Sequence, residues 1–219
     1  MATSHRVIFK FDGLTAEAGE LDGSDAEHFT SGARRLLALQ ATFYTKGKVP
    51  ALAVSKTDHY RITWATRYRG SVVDPWSVAI IGGAVGTVLG HYSIKALDYS
   101  FAEFFAESVG SCIFGRAWSA PPFERIEPTF SRAIRTNSDE FSDSEAKDNE
   151  RELLRAYTRR SLISTARPVG RSASTLDIFV DERFVGRIDE ATLRRLANEE
   201  AISDYVDRFH NRPKPNRMI

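Results

Sequence analysis

The feature that most constrains this chain is the stretch Trp76 to Gly90, WSVAIIGGAVGTVLG, fifteen residues without a charge. Gly82, Gly86 and Gly90 fall four apart within it. On a helix they share one face and leave a groove where another backbone can come close. Glycine costs roughly 1 kcal/mol relative to alanine in a helix interior. Three in register therefore predict close packing against a neighbouring helix, a second subunit or a lipid-embedded partner. Asp74 and Pro75 suit the N-cap and first position of this helix, which is expected to run to about Leu97. Its uncharged part spans about 22 Å at 1.5 Å per residue, short of the roughly 20 apolar residues a bilayer core needs. His91 and Lys95 interrupt any extension. The length favours a buried core or subunit-interface helix, with insertion of a 76–97 helix into a membrane as the alternative.

The rest of the chain alternates strand and helix patterns. Val7, Phe9 and Phe11 face one way in Arg6–Phe11 and Arg6, Ile8 and Lys10 the other, which predicts a strand. Ser24-Asp25-Ala26-Glu27 reads as a capping box. Phe29, Ala33, Leu36, Leu37, Phe43 and Tyr44 then follow at helical spacing, predicting a helix over about 25–46. Ala51–Lys56 and the longer Tyr60–Val73 read as strands. Phe101, Phe104, Phe105 and Val109 mark a helix that ends between Gly110 and Gly115. The polar stretch Arg132–Asn149, acidic and serine-rich from residue 136, reads as an exposed loop or linker. A helix over about 150–165 follows, then a β-hairpin from Thr175–Val180 and Phe184–Ile188, and a last helix capped by Asp189. The order predicts an α+β fold, a small mainly antiparallel sheet packed on helices. It divides into residues 1–135, a linker at 136–149, and a C-terminal helix–hairpin–helix segment with a basic tail at 150–219.

Composition narrows function mostly by exclusion. The chain has 219 residues, 42% hydrophobic and 27% charged, with a formal net charge of +1. That is ordinary for a globular domain. It gives no global pull toward nucleic acid, so any electrostatic argument is local. The single cysteine, Cys112, excludes an intramolecular disulfide and fits a reducing cytoplasm. The N-terminus lacks the basic and apolar blocks of a secretory signal.

Chemistry-bearing residues are sparse. If the first strand lies beside Tyr60–Val73, one sheet face carries Arg6, Lys10, Arg61, Arg67 and Arg69, and Tyr60, Trp64 and Tyr68 lie on the other. Lys10, Arg61, Arg67 and Arg69 are the candidate anion-binding residues. Base-stacking platforms need aromatic and basic groups to reach the same ligand, so this separation disfavours nucleic acid. His5, His28, His59, His91 and His210 show no metal-ligand spacing. Cys112 lacks a placeable base, and no glycine-rich phosphate loop follows the first strand. No catalytic residue, metal or cofactor is expected.

Phe-Asp-Gly-Leu14, the Ala33-Arg34-Arg35-Leu36 helix, the Tyr60–Ser71 strand and the glycine-rich segment, in that order, resemble an uncharacterised bacterial accessory-protein family. Arg167-Pro-Val-Gly-Arg-Ser-Ala-Ser-Thr-Leu176 is similar to the C-terminal part of that family. The resemblance covers most of the chain and implies a bacterial protein of mobile or defence-related gene neighbourhoods, phage defence included. It brings no assigned catalytic residues.

The expectation is a non-enzymatic cytoplasmic assembly or protein-interaction component. It would self-associate, or bind a protein partner, through Gly82, Gly86 and Gly90. A membrane-active effector and a nucleic-acid or anion binder are the alternatives.

Overall fold

The computed structural model describes residues 3–46, 49–50, 56–64, 72–81, 100–115 and 138–199, and only the backbone over 138–151. Five strands form one antiparallel sheet: β1 (Thr3–Asp12), β2 (Tyr60–Trp64), β3 (Val72–Ile80), β4 (Thr175–Val180) and β5 (Arg183–Ile188). Their spatial order is β2-β3-β1-β4-β5. The helices are α1 (Gly23–Lys46), α2 (Phe101–Phe114), α3 (Ser138–Thr165) and α4, the helical residues 190–199. The fold is α+β, with a C-terminal hairpin followed by a helix.

β1 is the central strand, with β3 on one edge and β4 on the other. Val7, Phe9 and Phe11 are fully buried, while Arg6 is exposed and Ile8 and Lys10 are half-buried. Its buried face meets Val72, Trp76 and Val78 on β3, and Leu176, Ile178 and Val180 on β4. Phe29 of α1 seats on this face, its ring edge-on to Phe9 at 5.8 Å and to Phe11 at 5.0 Å. Ile113 of α2 seats on β5, where the missing side chain of Gly186 makes room.

Residues 74–80 correct the sequence reading. They belong to β3, and Asp74 and Pro75 do not start a helix. Val72, Asp74, Trp76, Val78 and Ile80 all point to the core, an alternation that the Asp-Pro pair disguises. Pro75 is tolerated for a specific reason. The Ile81 N–H bonds the His59 carbonyl at 2.8 Å. Antiparallel alternation then turns the N–H side of residues 79, 77 and 75 toward β2, not β1. The described β2 ends at Trp64, opposite Trp76, so the missing Pro75 donor costs no described ladder bond. Buried Asp74 accepts the indole N–H of Trp64. The stretch Tyr60–Val73 is likewise not one strand. β2 pairs antiparallel with Trp76–Ile80 of β3, and β3 separates β2 from β1.

Helix ends follow local chemistry. Asp22 caps α1, its carboxylate accepting the Ser24 N–H at 3.2 Å and its carbonyl the Ala26 N–H at 2.8 Å. The expected capping box at Ser24 and Glu27 therefore sits two residues too late. A true capping box opens α2: Ser100 Oγ accepts the Glu103 N–H, and the Glu103 carboxylate accepts the Ser100 N–H. Gly115, at φ +63°, closes the same helix. The acidic stretch expected as a linker is helical from Ser138 as part of α3. Strands from both sides of it share the sheet. The reason is a long helix whose first half carries little apolar patterning of its own. α3 lies along α1, where Gln40 Nε2 donates to Thr158 Oγ1 at 2.8 Å.

Asp189 caps α4, accepting the Thr192 N–H at 2.8 Å. Those backbone bonds hold its carboxyl below the usual carboxylate range. A lowered folded value means stability is present above the unfolded value and is lost as pH falls through the folded one. Asp189→Ala is expected to cost about 1 kcal/mol at neutral pH. The difference from wild type should shrink below pH 3.8, the ordinary value of the group, in urea melts across the acid range. A constant difference down to the lowest pH would remove the charged cap from the account.

Candidate functional site

Two segments far apart in sequence close around one cavity. β1 ends at Asp12, and Gly13 turns the chain at φ +77°. A side chain there would collide with Ser174, so the turn requires glycine. The 3-10 turn Leu14–Ala18 then docks on the loop after α3: the Ser172 carbonyl accepts the Ala16 N–H at 3.0 Å and the Thr15 hydroxyl at 3.1 Å. That loop is itself tightly wound. The Pro168 carbonyl accepts the N–H groups of Arg171, Ser172 and Ala173, and Gly170 takes φ +80°.

Between this loop and the first turn of α1 lies a cavity of about 540 Å³, lined by Thr15, Glu20, Leu21, Asp22, Ser24, Asp25, Arg171 and Ser172. Asp25 is its deepest polar group, with 2% of the residue exposed. Ser172 Oγ donates to Asp25 Oδ2 at 3.0 Å. Arg171 Nη1 stands 3.7 Å from Asp25 Oδ1. The first-turn amides of α1 also favour a carboxylate at this point. The site is thus a polar recess with one recessed carboxylate, a carboxylate rim and one exposed guanidinium.

The sheet has a second face of a different character. Register places Pro75, Ile8, Phe179 and Phe184 side by side across β3, β1, β4 and β5. The Phe179 and Phe184 rings meet at 5.5 Å, and Phe184 is 50% exposed. One flanking row holds Lys10, Asp177 and Arg187, with Arg187 making a bidentate pair to Asp177 at 2.6 and 2.7 Å. The other holds Arg6, level with the β4–β5 turn. There Asp181 accepts the Arg6 N–H and the His5 ring N–H, both at 2.7 Å. Those two bonds hold Asp181 at φ +46°, which a non-glycine residue rarely adopts.

Of the expected anion-binding residues, Lys10 and Arg61 both point to this second face but do not meet. Arg61 is level with Ala79 and Ser4, six residues along β1 from Lys10. At about 3.4 Å per residue that is roughly 20 Å. Lys10 also pairs with Asp12 at 3.4 Å. Arg67, Arg69, Gly82, Gly86 and Gly90 lie outside the described residues. Cys112 is buried between α2 and α3, near the Arg155 carbonyl, and burial pushes its thiol up. That is the opposite of what a nucleophile needs. Among the described residues, no group of three His, Cys, Asp or Glu side chains is arranged to hold a metal ion. Among them, too, no helix is long and apolar enough to cross a membrane.

Sequence reasoning missed the Asp25–Ser172 recess. Asp25 reads locally as part of a capping box and Ser172 only as part of the 167–176 segment of the resemblance, and they are 147 residues apart. No family model, curated protein or solved structure matches the chain.

Proposed function

We propose that the protein is a non-enzymatic assembly component that self-associates through the second face of its sheet. Its setting would be the bacterial cytoplasm, in an accessory role of the kind its sequence resembles. The observation that supports this is the apolar row Pro75, Ile8, Phe179 and Phe184. Its Phe184 end is half exposed in the single chain, Ile8 and Phe179 are half-buried, and Pro75 at the other end is buried. A contiguous apolar strip rimmed by charged groups matches the anatomy of a protein interface. Pairing two copies about a two-fold axis would lay the same strip on itself. A buried free thiol, Cys112, suits a reducing compartment. Gly82, Gly86 and Gly90 offer a second packing surface within the same proposal. The membrane-insertion alternative loses the expected start of its 76–97 helix, because Trp76–Ile80 is sheet; residues 82–97 lie outside the described residues.

One observation favours a second reading, binding of single-stranded nucleic acid. Tyr60 and Trp64 lie on the face opposite Lys10 and Arg61, but two other aromatics, Phe179 and Phe184, share a face with Lys10, Arg6 and Arg187. Stacking surfaces are built this way.

Phe184→Asp tests both readings. Size-exclusion with light scattering should show an oligomer for the wild type and a monomer for the variant, with little change in melting temperature. Gly86→Leu in the same assay tests the glycine surface. A wild type that stays monomeric at every concentration removes self-association. A low-salt mobility shift with mixed single-stranded DNA and RNA, lost in Phe184→Asp, would put nucleic acid in its place.

A further inference from the structure

The recess between α1 and the 168–174 loop has a chemical preference of its own, independent of the sheet face. Asp25 is 2% exposed, and one of its oxygens, Oδ2, is satisfied by the Ser172 hydroxyl. The other, Oδ1, has no hydrogen-bond partner among the described residues. Arg171 Nη1, at 3.7 Å, is too far to donate. A buried carboxylate oxygen without a donor is unfavourable unless something brings one. The oxygen is itself covered from solvent, beneath an open recess of about 540 Å³ that Asp25 and Arg171 both line, so a ligand reaches it by displacing Arg171.

The sign of the missing group follows from the lining. Glu20, Asp22 and Asp25 set three carboxylates against the one guanidinium of Arg171. The positive pole of α1 is already matched by Asp22 and Asp25 in and beside its first turn. An incoming anion would meet like charge. A cation carrying its own N–H groups would meet an acceptor. Among the described residues the carboxylates do not converge as a metal cage, so the charge and the donors must arrive on one organic group. We infer that the recess binds an organic cation, an ammonium or guanidinium group, with Asp25 Oδ1 as its acceptor and Arg171 as the resident cation it displaces.

Calorimetric titration of the full chain with agmatine, with an arginine-containing tripeptide and with inorganic phosphate tests this. Agmatine or the peptide should bind at one site. Asp25→Asn should weaken that binding by about tenfold or more, the worth of a charge-assisted bond. Glu20→Gln, on the exposed rim, should weaken it about two- to threefold without moving the melting temperature, which keeps the test open if Asp25→Asn does not fold. Arg171→Ala should tighten it. Stronger binding of the peptide assigns the cation to a partner chain, and stronger binding of agmatine to a free amine; either supports the inference. It is overturned if neither cation binds below about 10 mM, or if binding ignores both carboxylate variants. It is overturned equally if Arg171→Ala weakens binding, or if phosphate binds in an Arg171-dependent way.

Discussion

Gly32→Ala is expected to destabilise the protein by about 2 kcal/mol, although alanine is the better helix former. Propensity alone predicts a gain of roughly 1 kcal/mol for this change inside a helix. Gly32 lies inside α1, where the helix crosses the C-terminal end of α3. A Cβ on Gly32 would sit 2.5 Å from the Thr165 nitrogen, 2.7 Å from the Ser164 carbonyl carbon and 2.9 Å from the Thr165 Cα. All three are backbone atoms, so no side chain can rotate away and one helix must move. Moving it disturbs the buried Gln40–Thr158 bond further along the same seam. Overpacking of this kind costs about 1–3 kcal/mol and more where relief is blocked, which outweighs propensity. Gly32→Val should be worse, because it adds two further carbons. Urea-unfolding midpoints decide the matter by sign. If Gly32→Ala raises the midpoint, α1 and α3 are not in backbone contact there.

The same residue shows what patterning can and cannot reveal. The expectation of a helix–helix contact built on glycine attached to Gly82, Gly86 and Gly90, because three in register are conspicuous. The described contact of that type is made by one glycine with no periodic partner. Its only sequence mark is its place in the middle of a strongly patterned helix. The central strand, α1, α2 and the C-terminal hairpin were legible because each repeats an apolar period several times. β3 was not, because Asp74-Pro75 imitates a helix start and hides a five-position alternation. The long acidic half of α3 was not, because a helix with little apolar face reads as a loop.

The candidate sites were less legible for a different reason. Their residues come together only through tertiary pairing. Asp25 meets Ser172, and Ile8 meets Phe179, only once β1 lies beside β4. The assumed pairing of β1 with the Tyr60 strand put Lys10 next to Arg61. β3 between them moves the two apart, and β4 and β5 on the other edge of β1 bring Phe179 and Phe184 onto the basic face. One strand order thus reversed the main argument against a stacking surface.

The other large effect is expected at Phe29. Phe29→Ala should cost about 3–5 kcal/mol, the range for a fully buried phenylalanine. For a chain of this length that is about 6–20 °C in melting temperature. The side chain is 0% exposed and edge-on to both Phe9 and Phe11. Truncation therefore removes two ring contacts as well as transfer energy, each pair worth about 0.5–1.5 kcal/mol beyond burial. The cavity cannot fill easily, because its walls are held on separate elements. Phe9 and Phe11 are fixed in register by β3 and β4, and α1 is fixed against α3 at Gly32. Phe29→Leu should recover much of the loss, since it refills volume without restoring the edge-on geometry. Phe184→Ala, at a half-exposed ring on the opposite face, is the control and should cost under about 1 kcal/mol. If Phe29→Ala costs no more than that control in urea melts with unchanged slope, α1 is not seated on β1.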